Sequence, residues 1–188
     1  MQFKIWFSIL IITLLGACAT PNTVSSNTVS SSANMKSMPN GLPPINLNSA
    51  LYELPVKAGV SYQDVVDSLK SVSEGMNFVN PANFPIGDHL KLRGIDPKGV
   101  KEVHSFCNLS MGTEIILDHP EFLAFAPCRI ALYEKPDANN KLSLFLALDR
   151  PTYDLKSIRN PTPRAQQSAQ ELEDALIQLM DKASRGDI

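Results

Sequence analysis

The sequence predicts an α+β fold: a single antiparallel-rich sheet with helices packed on it, preceded by a signal peptide and a disordered tether. Three observations predict it. Alternation of apolar and polar side chains recurs at 51–57, 100–107, 128–134 and 141–148, the period of two that places one face of a strand on a core. Two segments carry N-cap residues followed by apolar stripes at helical spacing. The resulting order is strand, helix, strand, helix, two strands, helix, which suits one sheet with helices laid on it.

Residues 51–57 read as the first strand. Ser61 then supplies an N-cap with Asp64 three positions on, a capping box in its Asp form. Val65, Val66, Leu69, Val72 and Met76 share one face of the helix that follows, and Gly75 marks its end. Phe78 and Val79 begin a short strand, while 80–99, with three prolines and three glycines, reads mostly as loop with a short helix near His89. The strand 100–107 leads to Asn108, an N-cap for a helix from Leu109 to about Asp118 that Pro120 stops. A connector ending at Pro127 is rich in Phe122, Leu123 and Phe125, which predicts a core cover, a dimer contact or a ligand lid. Strands 128–134 and 141–148 form a hairpin about a turn at 136–140. In the second of them Leu142, Leu144, Leu146 and Leu148 share one face opposite a mixed Ser143, Phe145 and Ala147, the pattern of a central strand. Finally Thr162 caps and Pro163 opens a helix to about Ser184, with Ala165, Ala169, Leu172, Leu176, Leu179 and Ala183 as its stripe.

Composition narrows the function. Of 188 residues 44% are hydrophobic and 19% charged, and 17 Lys+Arg against 19 Asp+Glu leave a net charge of −2. There is no basic excess to displace counterions from a polyanion, so no nucleic-acid partner is expected. At the N-terminus Lys4 precedes an apolar run, 5–15, too short for a permanent bilayer helix and laid out as a signal peptide. Leu15-Gly16-Ala17-Cys18 then resembles the bacterial lipobox, in which the cysteine thiol becomes lipid-modified. That resemblance implies a leader at 1–17 and a mature lipoprotein beginning at acylated, palmitate-bearing Cys18. Ala19, rather than Asp, implies sorting to the periplasmic face of the outer membrane. Residues 18–48, with Lys36 as the single charge, read as a flexible tether with a reach on the order of 30 Å. Residues 49–188 suffice for one domain.

Within that domain the stretch Phe106-Cys107-Asn108-Leu109, a helix, Asp118-His119-Pro120-Glu121-Phe122, and then Pro127-Cys128-Arg129-Ile130 and Tyr133-Glu134 resembles the domain of unknown function 302 (DUF302) family. The similarity is strong over 100–135 and moderate over the helix that begins after Ser61. It implies an α+β fold, often as a homodimer, and hands over no activity and no catalytic residues.

The chemistry-bearing residues leave several readings open. Cys107 and Cys128 remain once Cys18 is acylated, and an oxidising envelope suits a disulfide where their Cα atoms come within about 7 Å. A shared thiol site for redox, acyl or metal chemistry and a pair of small buried residues are the alternatives. The candidate ligand-binding side chains are Asn108, Arg129, His104 and His119. His104 faces the same way as Glu102 and Phe106 and opposite to Cys107. His119 lies at a helix end, where an imidazolium would complement the last carbonyls. A composite of His104, His119 and Met111 for haem or a metal ion is the sharper reading, although no His-x-x-x-His or Cys-x-x-Cys spacing writes a metal site. Hydrolase and nucleotide signatures are absent and no cofactor is named. The sequence therefore favours a non-enzymatic lipoprotein whose domain binds a small ligand or an envelope protein. A thiol-redox or metal- or haem-handling protein using Cys107 and Cys128 is the alternative.

Overall fold

The computed structural model describes residues 34–188. Two short strands, β1 (Met35–Lys36) and β2 (Ile45–Asn46), pair antiparallel ahead of the main sheet. There follow β3 (Leu51–Pro55), α1 (Tyr62–Gly75), β4 (Val79–Phe84), α2 (Ile86–Leu92), β5 (Lys101–Cys107), α3 (Leu109–Asp118), a 3₁₀ turn (Pro120–Phe125), β6 (Cys128–Pro136), β7 (Leu142–Asp149), α4 (Pro151–Asp154) and α5 (Pro163–Arg185). The five main strands are ordered β3-β7-β6-β5-β4, each pair antiparallel. This is the α+β architecture that the alternation predicts.

Local chemistry explains the elements. In α1 the Ser61 hydroxyl accepts from the Asp64 N–H and the Asp64 carboxylate accepts from the Ser61 N–H, closing the capping box. Asn108 Oδ1 accepts from the Met111 N–H at 3.2 Å to start α3. Thr162 does the same for Ala165 at the head of α5, with Pro163 in the first turn. Helix α5 ends at Gly186, whose φ of 69° is left-handed, and a Cβ there would meet Asp64 and Val60 side-chain atoms at 3.3 Å. The left-handed backbone favours glycine, and a Cβ would make those neighbours give by a few tenths of an ångström.

The core lies on one face of the sheet. Tyr52, Leu54, Phe106, Ile130, Leu132, Leu146 and Leu148 point into it and meet Val65 and Leu69 of α1, Ile115 of α3 and Leu172, Leu176, Leu179 and Met180 of α5. The run predicted for β7 holds at its C-terminal half, where Leu146 and Leu148 are sealed between β3 and β6. Leu142 sits at the hairpin end, 46% exposed. No helix among the described residues is long and apolar enough to cross a membrane.

Two expectations need correction. The segment 80–99 is less irregular than its prolines suggest: β4 runs from Val79 to Phe84 along the edge of the sheet, with a register shift between Val79 and Ala82. Pro81 lacks an N–H to give a ladder, so the strand survives only at an edge and with that irregularity. The short helix near His89 is α2. The second correction concerns the tether, which the sequence extended to 48. Residues 34–48 lie on the domain: Ile45 is fully buried, the Tyr52 hydroxyl donates to the Pro43 carbonyl at 3.1 Å, and Arg150 donates to the carbonyls of Asn46 and Ser49. A few apolar residues, Met38, Leu42 and Ile45, find places on the core even though their segment shows no periodicity. Cys18, the signal-peptide reading at 1–17 and the stretch 19–33 lie outside the described residues.

Candidate functional site

Antiparallel pairing brings the two cysteine dipeptides together. Strand β5 ends where β6 begins, Phe106 stands opposite Cys128 in the register, and Cys107-Asn108 therefore abuts Pro127-Cys128. A narrow cleft opens at this end of the sheet. Its walls are Leu109, Gly112 and Ile116 of α3, one face of that helix, and Phe122 and Phe125 of the 3₁₀ turn, whose rings lie 5.6 Å apart. Pro151 and Leu172 close the far side, and Cys107, Cys128, Asn108, Asp149 and Asp154 supply the polar atoms. The cleft and the open space at its mouth together amount to about 550 Å³. The apolar connector that the sequence singled out is thus the wall of a cavity. Gly112 helps to make it, since a Cβ there would meet nothing within 4 Å.

Both cysteines are free thiols, half-buried. Burial pushes the Cys128 thiol up to about 12, and a nearby Cys107 thiolate, Asp154 and Asp149 would push it the same way. It stays protonated at neutral pH, which disfavours nucleophilic attack by this thiol. The carboxyl of Asp154 is pushed up to about 6, first by burial, then by Asp149, with Glu173 adding to the shift and Arg129 opposing it. Asp149 pairs with Arg129 across the β6–β7 ladder. Asp154 has no hydrogen bond or ion pair to its carboxylate among the described residues.

The four side chains proposed as ligand contacts separate. Asn108 is committed to the cap of α3, and its amide also donates toward the Met76 carbonyl at 3.4 Å. Arg129 is not among the residues that line the cleft; its side chain is exposed on β6 and paired with Asp149. His119 reaches from the end of α3 to the next helix: its Nε2 accepts the Thr162 N–H at 3.0 Å, so the ring helps fix the start of α5. His104 lies on the core face of β5 with Glu102, as alternation requires, and lines a separate recess between α1 and β4. Its Nε2 stands 3.3 Å from Glu102 Oε1, both atoms sealed from solvent and neither in hydrogen-bond geometry, while the Tyr62 hydroxyl donates to Glu102 Oε2 at 3.2 Å. Met111 packs against the core. His104, His119 and Met111 therefore do not converge, and among the described residues no group of three or more His, Cys, Asp or Glu is placed to hold a metal ion. Sequence reasoning missed Asp154 and Tyr62, because each acquires its role from elements distant in the chain.

Comparison with known proteins fits this geometry. The profile of the family described as "Domain of unknown function DUF302" matches residues 52–183. The chain belongs to the DUF302 family. The matched span takes in both cysteine dipeptides and the whole cleft, and leaves the arm at 34–48 outside the DUF302 domain. An "Uncharacterized protein" of Aquifex aeolicus (strain VF5) is 36% identical over 81 residues, 43% of this chain and 50% of that protein, so the chain matches half the length of this relative. The crystal structure of an uncharacterized conserved DUF302 protein from Bacillus stearothermophilus superposes with a TM-score of 0.60 and 17% identity. That match covers 71% of this chain and 97% of the other, and it establishes the fold.

Proposed function

We propose that this chain is an envelope lipoprotein, anchored through an acylated Cys18, whose DUF302 domain binds a small, largely apolar ligand in the cleft between β5, β6 and α3. The observation that carries the binding role is the convergence of the Cys107-Asn108 and Pro127-Cys128 dipeptides on one apolar cleft walled by Phe122 and Phe125. Apolar concavities with a few placed polar groups are the usual form of small-molecule sites. The protonated state of Cys128 weighs against the thiol-redox alternative.

Native mass spectrometry of the full chain and of its Gly112→Leu variant tests this reading. A leucine at 112 would project into the cleft without disturbing the backbone, which is helical there. A small organic adduct on the wild-type chain and none on the variant is the expected result. An equal adduct on both, or none on either, would overturn the cleft as the binding site.

A further inference from the structure

Resting on the cleft as the binding site, we infer that its ligand is a primary amine on an alkyl body, the ammonium taken by Asp154. The cleft has two ends of different chemistry. Toward α3 and the 3₁₀ turn it is lined by Leu109, Ile116, Phe122 and Phe125, hydrocarbon and aromatic surface that suits an alkyl body. Toward α4 it presents a carboxylate. Helix α4, only four residues long, follows directly from β7 and hangs Asp154 over the cleft, half-buried and unsealed.

The charges around that carboxylate decide the sign of the ligand. Asp149 at the end of β7 shares the cleft, and Arg129 of β6 is engaged with it. Glu173 of α5 stands behind, neutralised by Arg150 at 3.0 Å and bonded to the backbone N–H of Thr152. Cys107 and Cys128 bring no cation. Asp154 is thus the acidic group of the cleft that no cation bonds among the described residues, Arg129 acting on it only from its place on Asp149. A carboxylate-headed ligand would meet like charge there, and an alcohol would leave the carboxylate uncompensated. An ammonium offers both the opposite charge and up to three donors. Alkylammonium groups stay protonated through the neutral range, as lysine does, so the pH dependence of binding belongs to Asp154.

The test is a calorimetric titration of the full chain with n-hexylamine, n-hexanol and n-hexanoate at pH 7.5 and pH 5. The expected result is that hexylamine binds at least tenfold tighter than hexanol at pH 7.5, with hexanoate weakest. With Asp154 titrating near 6, about a tenth of it is ionised at pH 5, so hexylamine should bind about tenfold more weakly there while hexanol is unchanged. Asp154→Asn should bring hexylamine down to the affinity of hexanol. Hexanol binding as tightly as hexylamine, or hexylamine indifferent both to pH and to Asp154→Asn, would overturn the amine while leaving the apolar cleft standing. Failure of all three probes to bind would overturn the cleft as well. The wild-type pH profile makes the distinction without any variant that has to fold.

Discussion

Asp154 shows how one side chain ties binding to stability. A carboxyl whose folded value is raised destabilises the fold wherever it is ionised. The penalty is absent below the unfolded value near 4, grows between pH 4 and 6, and is complete above the folded value of about 6. A shift of about two units on a fully buried group would correspond to about 3 kcal/mol, and with half the group in water the cost is on the order of 1 kcal/mol. Asp154→Asn should therefore stabilise the chain by about 1 kcal/mol at pH 7.5 and change little at pH 4, measured as urea midpoints at the two pH values. A variant that is destabilised at pH 7.5, or equally shifted at both, would contradict this account. At this scale the sequence exposes residues whose role is local. Ser61, Asn108 and Thr162 are readable as caps because their partners lie three residues away. Asp154 is not readable, since Arg129 on β6, Asp149 on β7 and Glu173 on α5 make its surroundings. His119 misleads for the same reason: its partner is Thr162, 43 positions on.

Between elements, the junction with the most at stake is built from Arg150 and Glu173, both almost wholly buried. Arg150 gives Nε and Nη2 to Glu173 Oε1, and Nη1 to the carbonyls of Asn46 and Ser49 at 2.8 Å each. Glu173 Oε2 accepts from the Thr152 N–H and hydroxyl. One ion pair thereby fastens the arm carrying β2, the β7–α4 corner and the middle of α5. Removing one partner strands the other charge in the interior, which costs about 3–5 kcal/mol. Glu173→Ala should lower unfolding stability by that amount. Asp174→Ala, which breaks the exposed pair with Lys36 and an exposed hydrogen bond from Gln170, should cost less than about 1 kcal/mol. Comparable losses in the two variants, read by urea unfolding, would show that the buried pair is not the fastening. The elements themselves were legible where periodicity is strong: α1, α5, β5, β6 and β7 stand close to where alternation and stripes place them. Strand β4 was hidden by Pro81 and its register shift, and the docked arm by the sparseness of its apolar residues. The cleft was legible in part, since the two dipeptides and the Phe122–Phe125 connector are visible in the sequence. The pairing that unites them belongs to the fold.

On the scale of the whole molecule, the arm at 34–48 changes where an anchored domain would begin. A link from Cys18 would reach a folded surface fifteen or so residues later, well before the start of the DUF302 match at 52. Since no described helix is suited to crossing a bilayer, membrane attachment by the proposed route falls to the lipid. Each buried methylene contributes about 0.8 kcal/mol, one myristoyl-sized chain binds only marginally, and two chains hold firmly. The wild-type chain should accordingly sediment with membranes and be released by detergent but not by high salt, because loss of Lys4 with residues 1–17 takes the net charge from −2 to −3, which offers little electrostatic attachment to an anionic surface. Cys18→Ala removes the acylated thiol and with it both chains, so that variant should move to the soluble fraction. Intact mass should further show the wild-type protein lacking residues 1–17 and carrying acyl mass on Cys18. A Cys18→Ala chain that remained as firmly membrane-bound as the wild type would overturn the anchor and leave the cleft as a property of a domain held at the membrane by some other contact.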